Sequence, residues 1–410
     1  MNPGVKSGQV SLPAFCLRLA WQEPFPDACQ GGVVAVGNFD GVHRGHLALV
    51  RQLRRLADQF HAPAVVVTFD PHPLAVIAPE RFEPLLTTPE QRARLLRDAG
   101  ADYVLILQAE PSLLELSAEN FFHEVLQRRL QIKGMVEGPN FRFGKDRRGD
   151  VALLRDLCSQ RGLPCVIVEP EMLHGQMISS SKVRQALQNG DVVAAREWLG
   201  RPYRLEGVVV RGAQRGKQLG FPTANLANIG TLVPRPGVYA AGAIVLDPKL
   251  SLNHGEGIGH LAAVHIGPNP TFSESLAKVE VHLLDFAQDL LGKRLAVDLL
   301  HRIREVKRFE SAQQLKEQIA SDIAAIRSLV KRDEDGLMER IRHVLDREIR
   351  PALQDSGSDV EFVGFDRGVV SLRFNGACGA CPSTAFAMLQ EIERLLRERV
   401  PEVDYVETVA

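Results

Sequence analysis

The sequence predicts an α/β chain in three parts: a doubly wound, mostly parallel sheet, then a small β-barrel, then a small α+β unit. Three observations carry that prediction. Residues 31–190 alternate β-branched runs with amphipathic helical stretches, residues 203–300 change to short strands split by Gly, Pro and Asn, and residues 337–410 restart an apolar spacing of helical period after a charged stretch. With 410 residues, 45% of them hydrophobic and 24% charged, the chain is long enough for several cores. Its formal charge of −1 includes no long basic block, which argues against a nucleic-acid partner. No basic start leads into an apolar segment and no apolar run reaches the ~18 residues of a membrane span, so the expected location is cytoplasmic, with no membrane partner.

The first part, residues 15–190, is expected to hold strands at Val33–Val36, Val65–Phe69, Tyr103–Leu107 and Cys165–Val168, with helices at Leu47–Gln59 and Glu90–Ala99. The run from Val33 to His46 reads as a buried strand, a tight turn and a helix start. Gly37 and Gly41 permit the turn and a close approach to a ligand, while the helix N-terminus offers N–H groups and a positive dipole end to phosphates. His43 and His46, three apart, are expected on one face of the first helical turn, donating hydrogen bonds to one phosphate. Gly37, Phe39 and Asp40 complete this ligand loop. Further blocks at Thr68-Phe-Asp70-Pro-His72-Pro, Gly138-Pro-Asn140-Phe-Arg142 and Ile178-Ser179-Ser-Ser181-Lys182-Val-Arg184 fall at strand ends or helix starts, which a parallel sheet gathers at one crevice. Ser179, Ser181 and Arg184 offer hydroxyls and a fixed cationic fork for a triphosphate, although the serines also suit a plain helix cap.

The second part, residues 197–327, opens with Gly207-Val-Val-Val-Arg-Gly212-Ala-Gln-Arg-Gly216-Lys-Gln-Leu-Gly220-Phe-Pro222-Thr223-Ala-Asn225. Glycines permit a loop that closes over phosphates, and in the Pro-Thr-Ala-Asn turn expected after it Thr223 with Asn225 supplies hard oxygens for Mg²⁺. Further strands are expected at Gly237–Val245, Leu261–Ile266 and Val279–Phe286, before a helix near Ser311. In Val279-Glu280-Val-His282-Leu the alternation places Glu280 and His282 on one face, and a carboxylate there can take the proton of an attacking alcohol. Residues 328–336 read as a linker and 337–410 as the last part, with more acidic than basic residues. There Leu337, Ile341, Val344, Leu345 and Ile349 keep helical spacing, two strands flank Asp366-Arg-Gly368, and a Cys378-Gly-Ala-Cys381 loop precedes a helix from Ser383 to Val400. The helix start favours thiolates. Two cysteines cannot complete a four-ligand metal or cluster shell, so such a site needs a second chain; a redox dithiol or two structural thiols are the alternatives.

The four blocks of the first part resemble the N-terminal half of the prokaryotic bifunctional riboflavin kinase/FAD synthetase family, a Rossmann-like nucleotidyltransferase domain. The resemblance implies that FMN attacks Mg-ATP, with His43 and His46 on the phosphates, Asn140 near them, and Ser179–Arg184 on the departing pyrophosphate. The second part resembles the family's riboflavin kinase module, including Pro236-Gly-Val-Tyr239, Gly267-Pro-Asn-Pro-Thr271-Phe and Arg304-Glu-Val-Lys-Arg-Phe309. It implies Thr223 and Asn225 at Mg-ATP under the Gly216 and Gly220 loop, Glu280 as base, and Arg304 beside the flavin. His265 and Leu291 depart from the family's usual Asn and Tyr, and an effect on flavin packing is expected. Residues 337–410 resemble the NifU-type C-terminal domain of iron–sulfur scaffolds, which implies a [4Fe–4S] cluster on Cys378 and Cys381 shared in a homodimer and handed to recipient proteins. The expected activity is conversion of riboflavin to FMN and FAD with two ATP. The rivals are a nucleotidyltransferase for another acceptor and a flavin-responsive scaffold with decayed catalysis.

Overall fold

The computed structural model describes residues 15–212, 216, 219–246, 259–268, 278–354, 358–366, 368–376, 382–400, 402–403 and 405–409. Its first sheet is wholly parallel. The strands are β1 (Cys16–Leu19), β2 (Val33–Val36), β3 (Ala64–Asp70), β4 (Tyr103–Gln108), β5 (Gly134–Glu137) and β6 (Cys165–Ile167), in the order β1-β4-β3-β2-β5-β6. The Val-rich runs are unbroken because both faces are covered. Val33, Ala35, Val66, Val104 and Ile106 pack on one side with helices Arg44–Gln59 and Pro89–Asp98, while Val34, Val36, Val65, Val67 and Leu105 pack on the other with Phe122, Leu126 and helix Val151–Ser159. The edge strand β1 was not legible beforehand. A short hairpin of β7 (Met172–Leu173) and β8 (Gln176–Met177) follows, then helices Ser180–Asn189 and Val192–Leu199.

The barrel closes through β9 (Tyr203–Val210), β10 (Ala224–Ala227), β11 (Gly237–Leu246), β12 (His260–Gly267), β13 (Lys278–Leu283) and β14 (Arg294–Arg304), ordered β10-β13-β12-β11-β14-β9. Alternate residues such as Leu205, Tyr239, Val264, Val281 and Val297 fill it. The same cluster takes in Leu86, Leu187, Trp198 and Leu199, so the first part and the barrel share a core rather than meeting across a linker.

Two expectations are corrected. The segment 328–336 is not a break after the helix that starts at Ser311: helix Ala312–Val344, capped by Ser311, runs straight through it. Its charges are a solvated face, and nothing there breaks a helix except Gly336, whose cost of about 1 kcal/mol is too small to do so. Asn225 lies within strand β10, not in a turn. The last part packs β15 (Ser358–Asp366), β16 (Val369–Gly376) and β17 (Tyr405–Thr408) against the end of the long helix and helix Pro382–Arg399, with Ile341, Val344, Leu345 and Ile349 in the core as their spacing predicts.

Candidate active sites

Strand β2 is where the order of the first sheet reverses, with β3 on one side and β5 on the other. In open α/β sheets that point leaves a crevice beyond the strand ends. Here Glu137 bridges it: its buried carboxyl accepts from Val36 N at 2.6 Å, and burial pushes its pKa well above the usual carboxylate range. The loop leaving β2 is unusual, for Phe39 (φ 48°) and Val42 (φ 40°) are non-glycine residues in the left-handed region. Such strain persists only where surrounding contacts impose it, and it clusters at functional sites.

His43 and His46 lie together, but not as two residues on one turn. His43 is the N-cap of helix Arg44–Gln59, its Nδ1 accepting from His46 N at 3.3 Å, and the two rings stack with centroids 3.6 Å apart. Phe39 sits edge-on to His46 at 5.1 Å, and a Cβ on Gly45 would fall 3.3 Å from the His43 ring, so glycine there leaves the ring its place. Because Nδ1 of His43 accepts, its proton is on Nε2. Burial, helped by Arg201, lowers the His43 pKa to about 4, and burial with His43 as neighbour drives that of His46 well down. Both rings are neutral donors near pH 7.

Asp40 and Arg184 differ from expectation. Only 3% exposed, the Asp40 carboxylate accepts from the backbone N–H groups of Leu86 and Thr87 at 3.0 Å, from the Thr87 hydroxyl at 3.1 Å and from Arg184 Nη2, with Arg92 3.7 Å away. Arg184, 8% exposed, also donates Nε to the Pro84 carbonyl. The pair fastens the ligand loop to residues 84–87 and to helix Ser180–Asn189 instead of facing the crevice. Ser179 caps that helix by accepting from Lys182 N, Ser180 Oγ donates to the Asp40 carbonyl at 2.8 Å, and Ser181 is exposed. Asn140 is also exposed, its amide on Met177 Sδ at the β7–β8 hairpin. Sequence reasoning missed Arg92, which is buried against Thr68 and Thr87, and Arg201, which donates to the carbonyls of Gly41 and Val42. His72 of the Thr68-Phe-Asp70-Pro-His72-Pro block caps a short helix, its Nδ1 accepting from Leu74 N. No local pattern announces partners 24 to 160 residues away.

On the barrel, Asn225 of β10 pairs with Glu280 of β13, and their flanking residues Ala224, Leu226, Val279 and Val281 belong to the core, so both polar side chains stand outside. Thr223 immediately precedes β10. The glycines before it are needed for contact: a Cβ on Gly212 would lie 2.1 Å from Asn225 Nδ2, and one on Gly216 would lie 2.4 Å from the Phe221 carbonyl and 3.1 Å from Thr223 Oγ1. Gly220 sits at φ 89°. His282, on the face of Glu280 as expected, pairs through Nδ1 with the Pro222 carbonyl at 2.7 Å and anchors the turn. Arg304 is held by hydrogen bonds from Nε and Nη2 to the carboxylate of Asp322 on the long helix, at 2.8–3.0 Å, and lies 5.7 Å from the Phe309 ring centre. Leu291 is exposed. Among the described residues no group of three or more His, Cys, Asp or Glu side chains is placed for a metal, and no helix is long and apolar enough to cross a membrane. Cys378 and Cys381 lie outside the described residues.

The chain is similar to known proteins over most of its length. A family described as FAD synthetase matches residues 26–182, one described as riboflavin kinase matches 199–330, and a NifU-like domain matches 341–407. The bifunctional riboflavin kinase/FMN adenylyltransferase of Escherichia coli (strain K12) is 37% identical over 294 residues, covering 72% of this chain and 91% of that protein. The Bacillus subtilis (strain 168) protein of the same name is 33% identical over 296 residues, 71% of this chain and 90% of that one. Among solved structures, one described as a macrolide-efflux protein from Streptococcus pneumoniae superposes with a TM-score of 0.67 at 30% identity, covering 76% of this chain and 99% of that one.

Proposed function

This chain belongs to the bifunctional riboflavin kinase/FMN adenylyltransferase family, with a NifU-like domain following the two enzyme domains, and from that premise we propose which residues do the work at each site. It is an enzyme of flavin cofactor synthesis that phosphorylates riboflavin to FMN and adenylylates FMN to FAD. In the kinase step, Glu280 takes the proton of the terminal hydroxyl of riboflavin as that oxygen attacks the γ-phosphorus of ATP. Thr223 Oγ1 and the Asn225 amide oxygen are hard donors that would hold Mg²⁺ together with phosphate oxygens and water, and a bound ion would supply charge neutralisation at the transferred group. Gly212, Gly216 and Gly220 let the loop lie close to both residues. In the adenylylation step, the FMN phosphate attacks the α-phosphorus and pyrophosphate leaves. Neutral His43 and His46 donate to the phosphates. Asn140 at the lip, with Ser179, Ser181 and the start of helix Ser180–Asn189, receives the leaving group, while Asp40 and Arg184 hold the loop in shape.

The observation that carries this reading is the cross-strand placement of Asn225 beside Glu280, a Mg²⁺ donor next to a base, on a barrel separate from the histidine crevice. The full chain is incubated with riboflavin and Mg-ATP and the flavins are separated by chromatography. Glu280→Gln should lower FMN formation by about 10²–10⁴-fold while FMN still becomes FAD. His43→Ala with His46→Ala should do the converse and accumulate FMN. Equal damage to both half-reactions by Glu280→Gln would overturn the base assignment.

For the third domain we propose that Cys378 and Cys381 hold a [4Fe–4S] cluster between two chains and pass it to recipient proteins in the cytoplasm. The NifU-like match supports this, as does helix Pro382–Arg399, whose positive end follows Cys381 and favours thiolate ligands. Anaerobic reconstitution should give about four irons per two chains, because a cluster needs four ligands and each chain brings two thiols. Cys378→Ser should lose both iron and dimer. A monomer without iron would overturn the proposal.

A further inference from the structure

The outer face of the barrel carries one more polar side chain beside the kinase base. His265 of β12 stands directly across from Glu280 of β13, on the side opposite Asn225. Its strand neighbours Val264 and Ile266 are in the core, as are Val279 and Val281, so the imidazole and the carboxylate project from the same face. Directly opposed residues bring their Cβ atoms within about 4.5–5.5 Å, close enough for both side chains to reach one ligand. Nδ1 of His265 is closed off from solvent and meets no hydrogen-bond partner among the described residues. An unpaired buried nitrogen weakens a fold unless something outside the chain completes it. Burial lowers the His265 pKa, with Glu280 opposing and Arg304 assisting, so the ring is neutral, one nitrogen a donor and the other an acceptor. The ligand that suits such a ring next to a base is a chain of hydroxyls, and riboflavin carries its reacting hydroxyl at the end of one.

We propose that His265 hydrogen-bonds the polyol chain of riboflavin through Nδ1 and so holds the terminal hydroxyl against Glu280. The inference rests on the assignment of Glu280 as base. His265 moves no proton; it aligns the group from which Glu280 takes one. Misplacing a reacting group by about 1 Å can cost on the order of 10²-fold in rate.

The test measures kcat and KM for riboflavin phosphorylation by the full chain as His265→Ala, His265→Asn and Glu280→Gln, with FMN adenylylation and the thermal midpoint as controls on folding. His265→Ala should lower kcat by about 10- to 100-fold with a much smaller change in KM. His265→Asn keeps a short hydrogen-bonding side chain and should restore kcat to within a few-fold of the parent. A parental kcat in His265→Ala, or a His265→Asn chain as slow as His265→Ala, overturns the proposal. A Glu280→Gln chain that phosphorylates riboflavin at the parental rate overturns the base assignment and this proposal with it. A crippled Glu280→Gln beside an undamaged His265→Ala overturns this one alone.

Discussion

Asp40 lies in the loop leaving β2, at the crevice proposed for adenylylation, yet its oxygens are directed at Leu86, Thr87 and Arg184, so removing its carboxylate leaves two buried guanidinium groups short of counter-charge. Breaking a buried pair from one side costs about 3–5 kcal/mol. Asp40→Ala should therefore lower the unfolding free energy by that amount, read as a lower urea midpoint, and abolish FAD formation through the loop, whereas an unchanged midpoint would show that the pair is not structural. A second consequence follows from the buried histidines. Burial holds the pKa of His43 and of His72 at about 4, against 6.5 for the free side chain. Between those values the unfolded chain binds protons that the folded chain does not, so stability present above pH 6.5 is lost progressively as the pH falls towards 4. His72→Asn keeps an acceptor for Leu74 N and removes one titrating group. Its thermal midpoint should fall less steeply than the parent's across that window.

At the level of elements, the long helix and the glycine loop answer to opposite rules. Gly336 sits inside helix Ala312–Val344, and a Cβ there would meet nothing within 4 Å. Gly336→Ala should thus stabilise the chain by about 0.5–1 kcal/mol, read as a raised denaturation midpoint. Gly216 is the reverse case, since its Cβ would press on the Phe221 carbonyl beside Thr223. Gly216→Ala should cut riboflavin phosphorylation at least about tenfold by displacing Thr223 and Asn225, the proposed Mg²⁺ donors, with FMN adenylylation unchanged. Strand β14 was not foreseen because register shifts opposite Val238 and Ala240 of β11 break the alternation that identifies a strand.

Over the whole molecule, the first domain and the barrel cannot be separated without opening a shared core. The Arg235 N–H donates to the Leu187 carbonyl, the Leu232 N–H to the Leu85 carbonyl, and Arg201 reaches back to the histidine loop. The third domain has its own core and is tied on by the long helix, by ion pairs from Arg196 and Arg340 to Glu402, and by a hydrogen bond between His301 and Asp333. Half-buried ion pairs still screened by solvent contribute about 1 kcal/mol or less each. Calorimetry should show two transitions, a large one for the two enzyme domains together and a small one for the third, and Glu402→Gln should shift neither by more than about 1 kcal/mol. A single transition for the whole chain would contradict this division.

Periodicity and local chemistry were enough to read what depends on neighbours in the chain. The Val runs of β2 and β3, the alternation around Glu280, the cap at Ser311 and the apolar spacing from Ile341 to Ile349 all stand where the residues place them, and the motif blocks fall at the crevice and on the barrel face where the two sites are proposed. What the tertiary structure alone decided involves groups far apart in sequence. Asp40 meets Arg184 across 144 residues, His282 meets the Pro222 carbonyl across 60, and Arg304 meets Asp322 across a change of element. A buried charge or an unpaired carbonyl must find some partner, but the chain does not say which one, because that choice is made only when packing brings the candidates into the same low-dielectric space.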